Sequence, residues 1–183
     1  MSTEPPSTPP TVLVLASGRG ERFAASGGTV HKLQAKLAGR TVLERTLAAV
    51  RASGLPWHLE DAGHPGMGDS IAAAVAAAPH ACGWLILPAD LPLVRPETLR
   101  AVAAALREHE VVVPMVQGQR GHPVGFSATC RADLLKLQGD RGAAGVIRSH
   151  DAIELIVNDI GCVTDIDTQD DLARAEALLA GRG

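Results

Sequence analysis

Short, wholly apolar runs alternate along the chain with longer stretches in which apolar residues recur every three or four positions. The runs Val12–Leu15, Trp84–Leu87 and Val111–Val113 contain no polar side chain, as strands covered on both faces require. Stretches at 55–59 and 153–157 read as two further strands. Between them, Val42, Leu43, Leu47 and Val50 mark a helix that begins near Thr41 and stops at Gly54. An alanine-rich helix opens at Gly66-Met67-Gly68 and ends before Pro79. Pro96 starts a third, carried by Leu99, Val102, Ala103 and Leu106. Segments 131–137 and 143–150 also read as helical. The chain closes with an amphipathic helix over 168–179, with Thr168 as its N-cap ahead of Asp170 and Asp171. Apolar strands alternating with helices predict an α/β fold around a mostly parallel sheet. Ligands of such sheets gather beyond the C-terminal ends of the strands. The residues just after Leu15 and just after Leu87 are therefore the first place to look for chemistry.

The length of 183 residues suits one domain, expected over 11–183, and the four prolines within residues 1–10 predict a disordered arm. With 46% hydrophobic and 20% charged residues, the chain is not disordered throughout. A net charge of −3 offers no basic excess for nucleic acid, and 2% aromatic residues offer no base-stacking platform. Cys82, Cys130 and Cys162 form no C-x-x-C pair, which argues against a zinc ribbon or a disulfide framework. No apolar run approaches the roughly 18 residues of a membrane span. The first residues lack the features of a signal peptide, so a cytoplasmic protein is expected.

Leu15-Ala16-Ser17-Gly18-Arg19-Gly20-Glu21-Arg22 follows the first strand directly. Small residues let backbone N–H groups approach a phosphate chain, and Arg22 adds a fixed cationic fork. The segment is neither G-x-G-x-x-G nor a Walker loop, and alone it is also readable as a glycine turn. Lys32 supplies a point charge suited to phosphate oxygens, or is a solvated surface lysine. Asp90 emerges from a buried strand within Leu87-Pro88-Ala89-Asp90-Leu91-Pro92, where it would hold Mg²⁺ against phosphates or cap the next helix. Asp165 and Asp167, two apart, share a face of an extended segment: one would share the metal and the other orient backbone, unless both serve helix capping. Gly118-Gln119-Arg120-Gly121-His122-Pro123 offers an Arg and a His to an anionic substrate, or is a plain hairpin turn. Gly66-Met67-Gly68-Asp69-Ser70 is a helix start that would face a ligand or merely be capped. His58 and His64, with Glu60 and Asp61 between them, carry no zinc signature, and Ser17 is not in a hydrolase G-x-S-x-G elbow.

Taken together and in order, these segments resemble the nucleotidyltransferases of molybdenum cofactor maturation. The family's first loop, roughly L-A-[AG]-G-x-S-x-R, is matched by Leu15 to Arg22. The family lysine is matched by Lys32-Leu33, G-M-x-x-S by Gly66 to Ser70, and D-x-P by Asp90-Leu91-Pro92. The later G-x-x-G-H-P, G-D-x-G and D-I-D-T segments are matched at 118–123, Gly139-Asp140-Arg141-Gly142 and 165–168. The resemblance spans roughly residues 11–180. It implies a three-layer, Rossmann-like nucleotide-diphospho-sugar transferase fold. It also implies Mg²⁺-dependent transfer of CMP or GMP from a nucleoside triphosphate (NTP) to molybdopterin, with release of pyrophosphate. The G-H-P and G-D-x-G segments favour CTP over GTP. By resemblance, Arg22, Lys32 and Asp90 are catalytic, and Asp90 and Asp167 hold the metal. The nucleotide would meet Leu15, Ala16, Ser17, Gly18, Arg19, Gly20, Lys32, Gly66, Met67, Ser70 and Asp90. Arg120, His122 and Asp140 would face the acceptor. A molybdoenzyme or its chaperone is the protein partner implied.

Four departures from the family pattern stand out. Ser17 replaces an alanine or glycine, Gly20 replaces the loop serine, the spacer from Arg22 to Lys32 is long, with Phe23–His31 between them, and the stretch from Gly54 to Gly66 has room for one strand only. Two other readings keep the same motifs: a sugar-phosphate nucleotidyltransferase, and a non-catalytic nucleotide-binding module that delivers cofactor to a molybdoenzyme.

Overall fold

A computed structural model describes residues 8–181. Its strands are β1 Thr11–Leu15, β2 Lys36–Leu37, β3 Arg40–Thr41, β4 Trp57–Glu60, β5 Gly83–Pro88, β6 Val111–Val116, β7 Gln119–Arg120, β8 Val124–Ser127 and β9 Ala152–Ile156. The helices are α1 Glu21–Ala25, α2 Val42–Ser53, α3 Met67–Ala77, α4 Pro96–Ala105, α5 Arg131–Leu134, α6 Ala144–Ser149 and α7 Gln169–Ala180. Strands other than β2 and β3 form one sheet in the order β4-β1-β5-β8-β6-β7, with β9 also paired to β6. The pairs β1–β4, β1–β5 and β6–β9 are parallel, whereas β8 runs antiparallel to both β5 and β6. The α/β fold with a mostly parallel central sheet is as the sequence implies.

Side-chain alternation along the strands divides the core into two layers. Val12 and Val14 of β1, with Leu85 and Leu87 of β5, pack with Val42, Val50, Leu99 and Val102 from α2 and α4. Leu13 and Leu15, with Trp84 and Ile86, pack on the opposite face with Ile71, Val75, Leu134 and Val146 from α3, α5 and α6. Because both faces are covered, residues 12–15 of β1 and 84–87 of β5 are all apolar, which explains the unbroken apolar runs.

Helix ends follow local chemistry. Thr41 caps α2 in a reciprocal box: its Oγ1 accepts from Glu44 N, and its own N–H donates to Glu44 Oε2. Thr168 and Asp171 repeat the device at α7, which confirms the expected N-cap. The helix expected over 131–137 is a single turn, Arg131–Leu134. Its continuation loosens into three-residue turns before Gly139, at φ +63°, redirects the chain. Strand β8 has no counterpart in the sequence reading. Of the proline-rich arm, residues 1–7 lie outside the described residues, while Pro10 is buried at the entry to β1. A single strand, β4, occupies the Gly54–Gly66 stretch and, among the described residues, pairs only with β1.

Candidate active site

The strand ends of β1, β4 and β5 are tied together where the chain leaves the sheet. Ala89 N donates to Leu15 O at 2.9 Å, and Ala16 N donates to Glu60 O at 2.8 Å. From within α2, Thr46 Oγ1 donates to Ala89 O at 2.8 Å. The loop after β1 and the residue after Ala89 are thereby fixed at one wall of a cleft of about 870 Å³.

The loop keeps its shape through contacts that sequence spacing does not reveal. Gly20 has φ +67°, and a Cβ there would come within 3.2 Å of the His31 ring. The same ring meets Gly18 O through Nε2 at 2.8 Å. His31, which no motif singled out, thus braces the glycine loop from behind.

The charged centre lies beneath that loop. Lys32 Nζ donates to Asp90 Oδ2 at 2.6 Å and to Asp167 Oδ1 at 2.8 Å. Arg22 Nη1 meets the other oxygen of Asp167 at 2.7 Å. Burial works against the charge on Lys32, but Asp90 and Asp167 outweigh it and hold its pKa above the ordinary lysine value. Asp90 Oδ1 is buried and has no hydrogen-bond partner among the described residues. A buried, unpartnered carboxylate oxygen is costly, and it is available to a cation. No group of three or more His, Cys, Asp or Glu side chains is arranged to hold a metal among the described residues. Two carboxylates completed by substrate phosphates are, however, a usual coordination for Mg²⁺. The donor set of Asp90 and Asp167 fits that ion.

Apart from Ser70, each residue expected from the sequence lines this cleft. Ser70 sits behind the wall, fully buried, with its Oγ 2.5 Å from Ser17 Oγ and 3.1 Å from Gly66 O. Asp140 reaches the cleft because its loop is docked on the start of α3. A Cβ on Gly66 would fall 2.2 Å from Gly139 C, Gly68 N donates to Gly139 O at 2.8 Å, and Gly139 N donates to Asp69 Oδ2 at 2.9 Å. The G-M-x-D and G-D-x-G segments are thus two halves of one contact. On the facing wall, His122 N donates to Cys162 O at 3.0 Å. Burial pushes the His122 imidazole below its usual pKa, opposed only in part by Asp90. Arg120 lies at the rim, exposed and 3.3 Å from Glu154.

Two further titratable groups line the cleft: Asp165, singled out in the sequence together with Asp167, and His64, to which the motifs assign no site role. Asp165 lines the cleft as a carboxylate whose pKa is raised, first by burial and then by Asp90, Asp167 and Asp171. His64 lines it as well, held by Glu60, whose Oε1 is 2.9 Å from His64 Nε2 and whose Oε2 is 3.3 Å from His58 Nε2. The i, i+4 spacing of Glu60 and His64 spans a turn, not a helix, so no periodic pattern pointed to the pair.

The MobA-like NTP transferase domain model matches residues 47–153, more than half of the chain. The chain belongs to this family. Among solved structures, Rv0371c from Mycobacterium tuberculosis H37Rv is 27% identical with a TM-score of 0.78, covering 93% of this chain and 98% of that one. A structure of Rv0371c in complex with manganese superposes at a TM-score of 0.73, with 26% identity over 93% of this chain and 99% of that one. The molybdopterin-guanine dinucleotide biosynthesis protein A of Archaeoglobus fulgidus shares the fold at a TM-score of 0.69 and 19% identity, over 93% and 99% of the two chains. A curated relative, the bifunctional protein GlmU of Xanthobacter autotrophicus, is 31% identical in an alignment of 160 positions that covers 73% of this chain. The chain spans 35% of the length of the curated relatives it matches. Among the described residues, no helix is long and apolar enough to cross a membrane.

Proposed function

We propose that this MobA-like domain transfers a nucleotide, CMP in preference to GMP, from an NTP to the phosphate of molybdopterin, releasing pyrophosphate. The observation that carries the reading is the convergence of Arg22, Lys32, Asp90 and Asp167 beneath a glycine loop in one cleft. The family supports nucleotidyl transfer, and the cofactor-maturation motifs support the acceptor.

In the reaction an acceptor phosphate oxygen attacks the α-phosphorus, forming a new P–O bond. The bond from the α-phosphorus to the bridging oxygen breaks, and pyrophosphate leaves with the electron pair. Such chemistry asks the protein for positioning and charge neutralisation, not for a covalent intermediate. Backbone N–H groups of the 16–22 loop would cradle the triphosphate, and Arg22 and Lys32 would offset its β- and γ-charge. Asp90 and Asp167 would hold Mg²⁺, which when bound draws charge from the phosphates. Gly66 and Met67 would flank the nucleoside, with Arg120, His122 and Asp140 on the acceptor side.

The test is to incubate the protein with CTP, Mg²⁺ and molybdopterin and to look for the cytidylylated cofactor by mass spectrometry. Asp90→Asn should lower its formation by at least about 100-fold. Unchanged formation in Asp90→Asn would contradict the assignment of the site. A product formed with a sugar phosphate but not with molybdopterin would replace the acceptor. Nucleotide binding without transfer to either would indicate a binding module.

A further inference from the structure

The spacer between Arg22 and Lys32 folds back on the glycine loop. Phe23, 1% exposed, packs against Gly28, where a Cβ would fall 2.3 Å from its ring. Gly28 N donates to Phe23 O at 3.0 Å, and Ser26 Oγ accepts from Gln169 N at 3.0 Å. The spacer so held returns His31 to the loop, with its ring 3.2 Å from the place a Cβ on Gly20 would take. A bare position 20 and a long spacer are therefore parts of one arrangement.

Both nitrogens of the His31 ring are engaged. Leu33 N donates to His31 Nδ1 at 3.3 Å, at the start of the short turn over Lys32–Gln34. Nδ1 accepts and so carries no proton. A neutral imidazole holds its one proton on the other nitrogen, so Nε2 donates to Gly18 O, 2.8 Å away. The ring thus ties the Gly18 carbonyl to the backbone of the residue after Lys32.

Gly18 and Arg19 line the cleft, whereas His31 stands outside its lining. The bond to His31 therefore turns the Gly18 carbonyl away from the cleft. The Gly18–Arg19 peptide is trans, and in a planar trans peptide the N–H points opposite to the C=O. Arg19 N–H is accordingly turned toward the cleft, and it has no hydrogen-bond partner among the described residues. A carbonyl oxygen in that place would repel a phosphate, and an N–H attracts one.

We propose that His31 is a positioning residue for the triphosphate: it holds the Gly18–Arg19 peptide in the orientation that offers Arg19 N–H, and not Gly18 O, to a phosphate oxygen. The inference rests on the reading of the cleft as an NTP site. His31 acts through the peptide and touches no substrate itself.

The experiment separates the two ring nitrogens. In His31→Asn the side-chain oxygen takes the place of Nδ1, but the side chain is too short to reach Gly18 O. In His31→Gln the amide nitrogen takes the place of Nε2 and donates to Gly18 O, while the bond from Leu33 N is given up. Binding of CTP in Mg²⁺ is measured by calorimetry, and the Arg19 amide is followed by proton–nitrogen correlation NMR. His31 and Gly18 are both exposed, so neither variant leaves a buried group unpaired, and melting midpoints should stay close to that of the wild type. The Arg19 amide proton of the wild type should move downfield on binding CTP. His31→Asn should bind CTP about tenfold more weakly and lose that shift, and His31→Gln should restore both. Equal weakening in the two variants overturns the proposal in favour of the cap at Leu33, acting through Lys32. An Arg19 amide that does not shift when the wild type binds CTP, or that shifts equally in His31→Asn, overturns the proposal and leaves the NTP reading standing, as does wild-type affinity in both variants. A wild-type protein that binds no CTP overturns both.

Discussion

Lys32 Nζ stands 2.6 Å from Asp90 Oδ2, and the same ammonium spans to Asp167 at 2.8 Å. One cation therefore bridges two carboxylates from residues 58 and 135 positions away, and Arg22 supplies a second charge to Asp167. The side chains of Lys32, Asp90 and Asp167 are less than a fifth exposed. Lys32→Met removes the ammonium that bridges the two acids and leaves Asp167 paired with the exposed Arg22. It should cost about 1–2 kcal/mol of stability, less than a fully buried pair because the cleft is open to water. Millimolar Mg²⁺ should then raise the melting midpoint of Lys32→Met more than that of the wild type, since the ion replaces the missing charge. Equal Mg²⁺ responses would argue against Asp90 and Asp167 as the metal ligands.

Arg22 makes the opposite case. It pairs with Asp167 at 2.7 Å, yet its side chain is 78% exposed. Arg22→Ala should leave urea-unfolding stability nearly unchanged while weakening NTP binding by about tenfold or more, as expected for a charge-assisted phosphate contact. A stability loss as large as the binding loss would mark Arg22 as structural.

Thr46 fixes the strand end that bears Asp90. Its Oγ1 lies 2.8 Å from Ala89 O inside the core, where the residue is fully buried. Thr46→Val keeps the shape but leaves that carbonyl without its donor. A loss of about 1–2 kcal/mol in urea unfolding is expected, together with slower nucleotide transfer because Asp90 is less firmly held. Unaltered stability would mean that the carbonyl finds another partner.

Gly66 and Gly68 allow the 138–142 loop to lie against α3. A Cβ on Gly66 would fall 2.2 Å from Gly139 C, and one on Gly68 would fall 2.7 Å from Arg141 O. Backbone cannot swing aside as a side-chain tip can, so Gly66→Ala should cost about 1–3 kcal/mol and should detach Asp140 from the cleft. Asp69→Ala, which removes only the acceptor of Gly139 N, should cost less. Hydrogen exchange of the 138–142 amides reads both effects; unaltered protection in Gly66→Ala would refute the docking.

His150 forms a clamp with Asp133 at 3.0 Å and Glu110 at 3.3 Å. The hydrogen bond to Asp133 raises the His150 pKa above its ordinary value, aided by Glu110 and opposed by partial burial. Asp133 and Glu110 are held below theirs. A histidine with a raised folded pKa contributes stability that is complete below its unfolded value of about 6.5 and is lost as pH rises through the folded value. The carboxylates contribute above their unfolded values and lose their share as pH falls. The clamp is therefore strongest in mildly acidic solution. His150→Gln should flatten the fall in melting temperature from about pH 6 to about pH 8. An identical pH slope in the variant would contradict the clamp.

Elements that bury both faces or carry a clear helical period were legible in the sequence: β1, β5 and β6 from their unbroken apolar runs, α2 and α4 from their spacing. Strand β8 was not. It has four residues, includes Gly125, and is held by pairing with β5 and β6, a tertiary cause that leaves no local period. The candidate site shows the same division. The glycine loop, Lys32, Asp90 and the 165–168 segment were visible as motifs. What joins them was not, because the links run between residues distant in the chain. The bracing of Gly18 by His31 and the hold of Glu60 on His64 likewise depend on rotamers and turns. Ser70 was expected to touch nucleotide, and its hydroxyl is instead taken up by Ser17 and Gly66.

The central claim is that this cleft moves a nucleotide from an NTP to molybdopterin. The most direct measurement is pyrophosphate release in Mg²⁺ with each of the four NTPs, with and without molybdopterin, for the wild type and Asp90→Asn. The account predicts release by the wild type with CTP only when molybdopterin is present, and near-total loss in Asp90→Asn. Absence of release with every nucleotide in the presence of molybdopterin, despite measurable NTP binding, would contradict it.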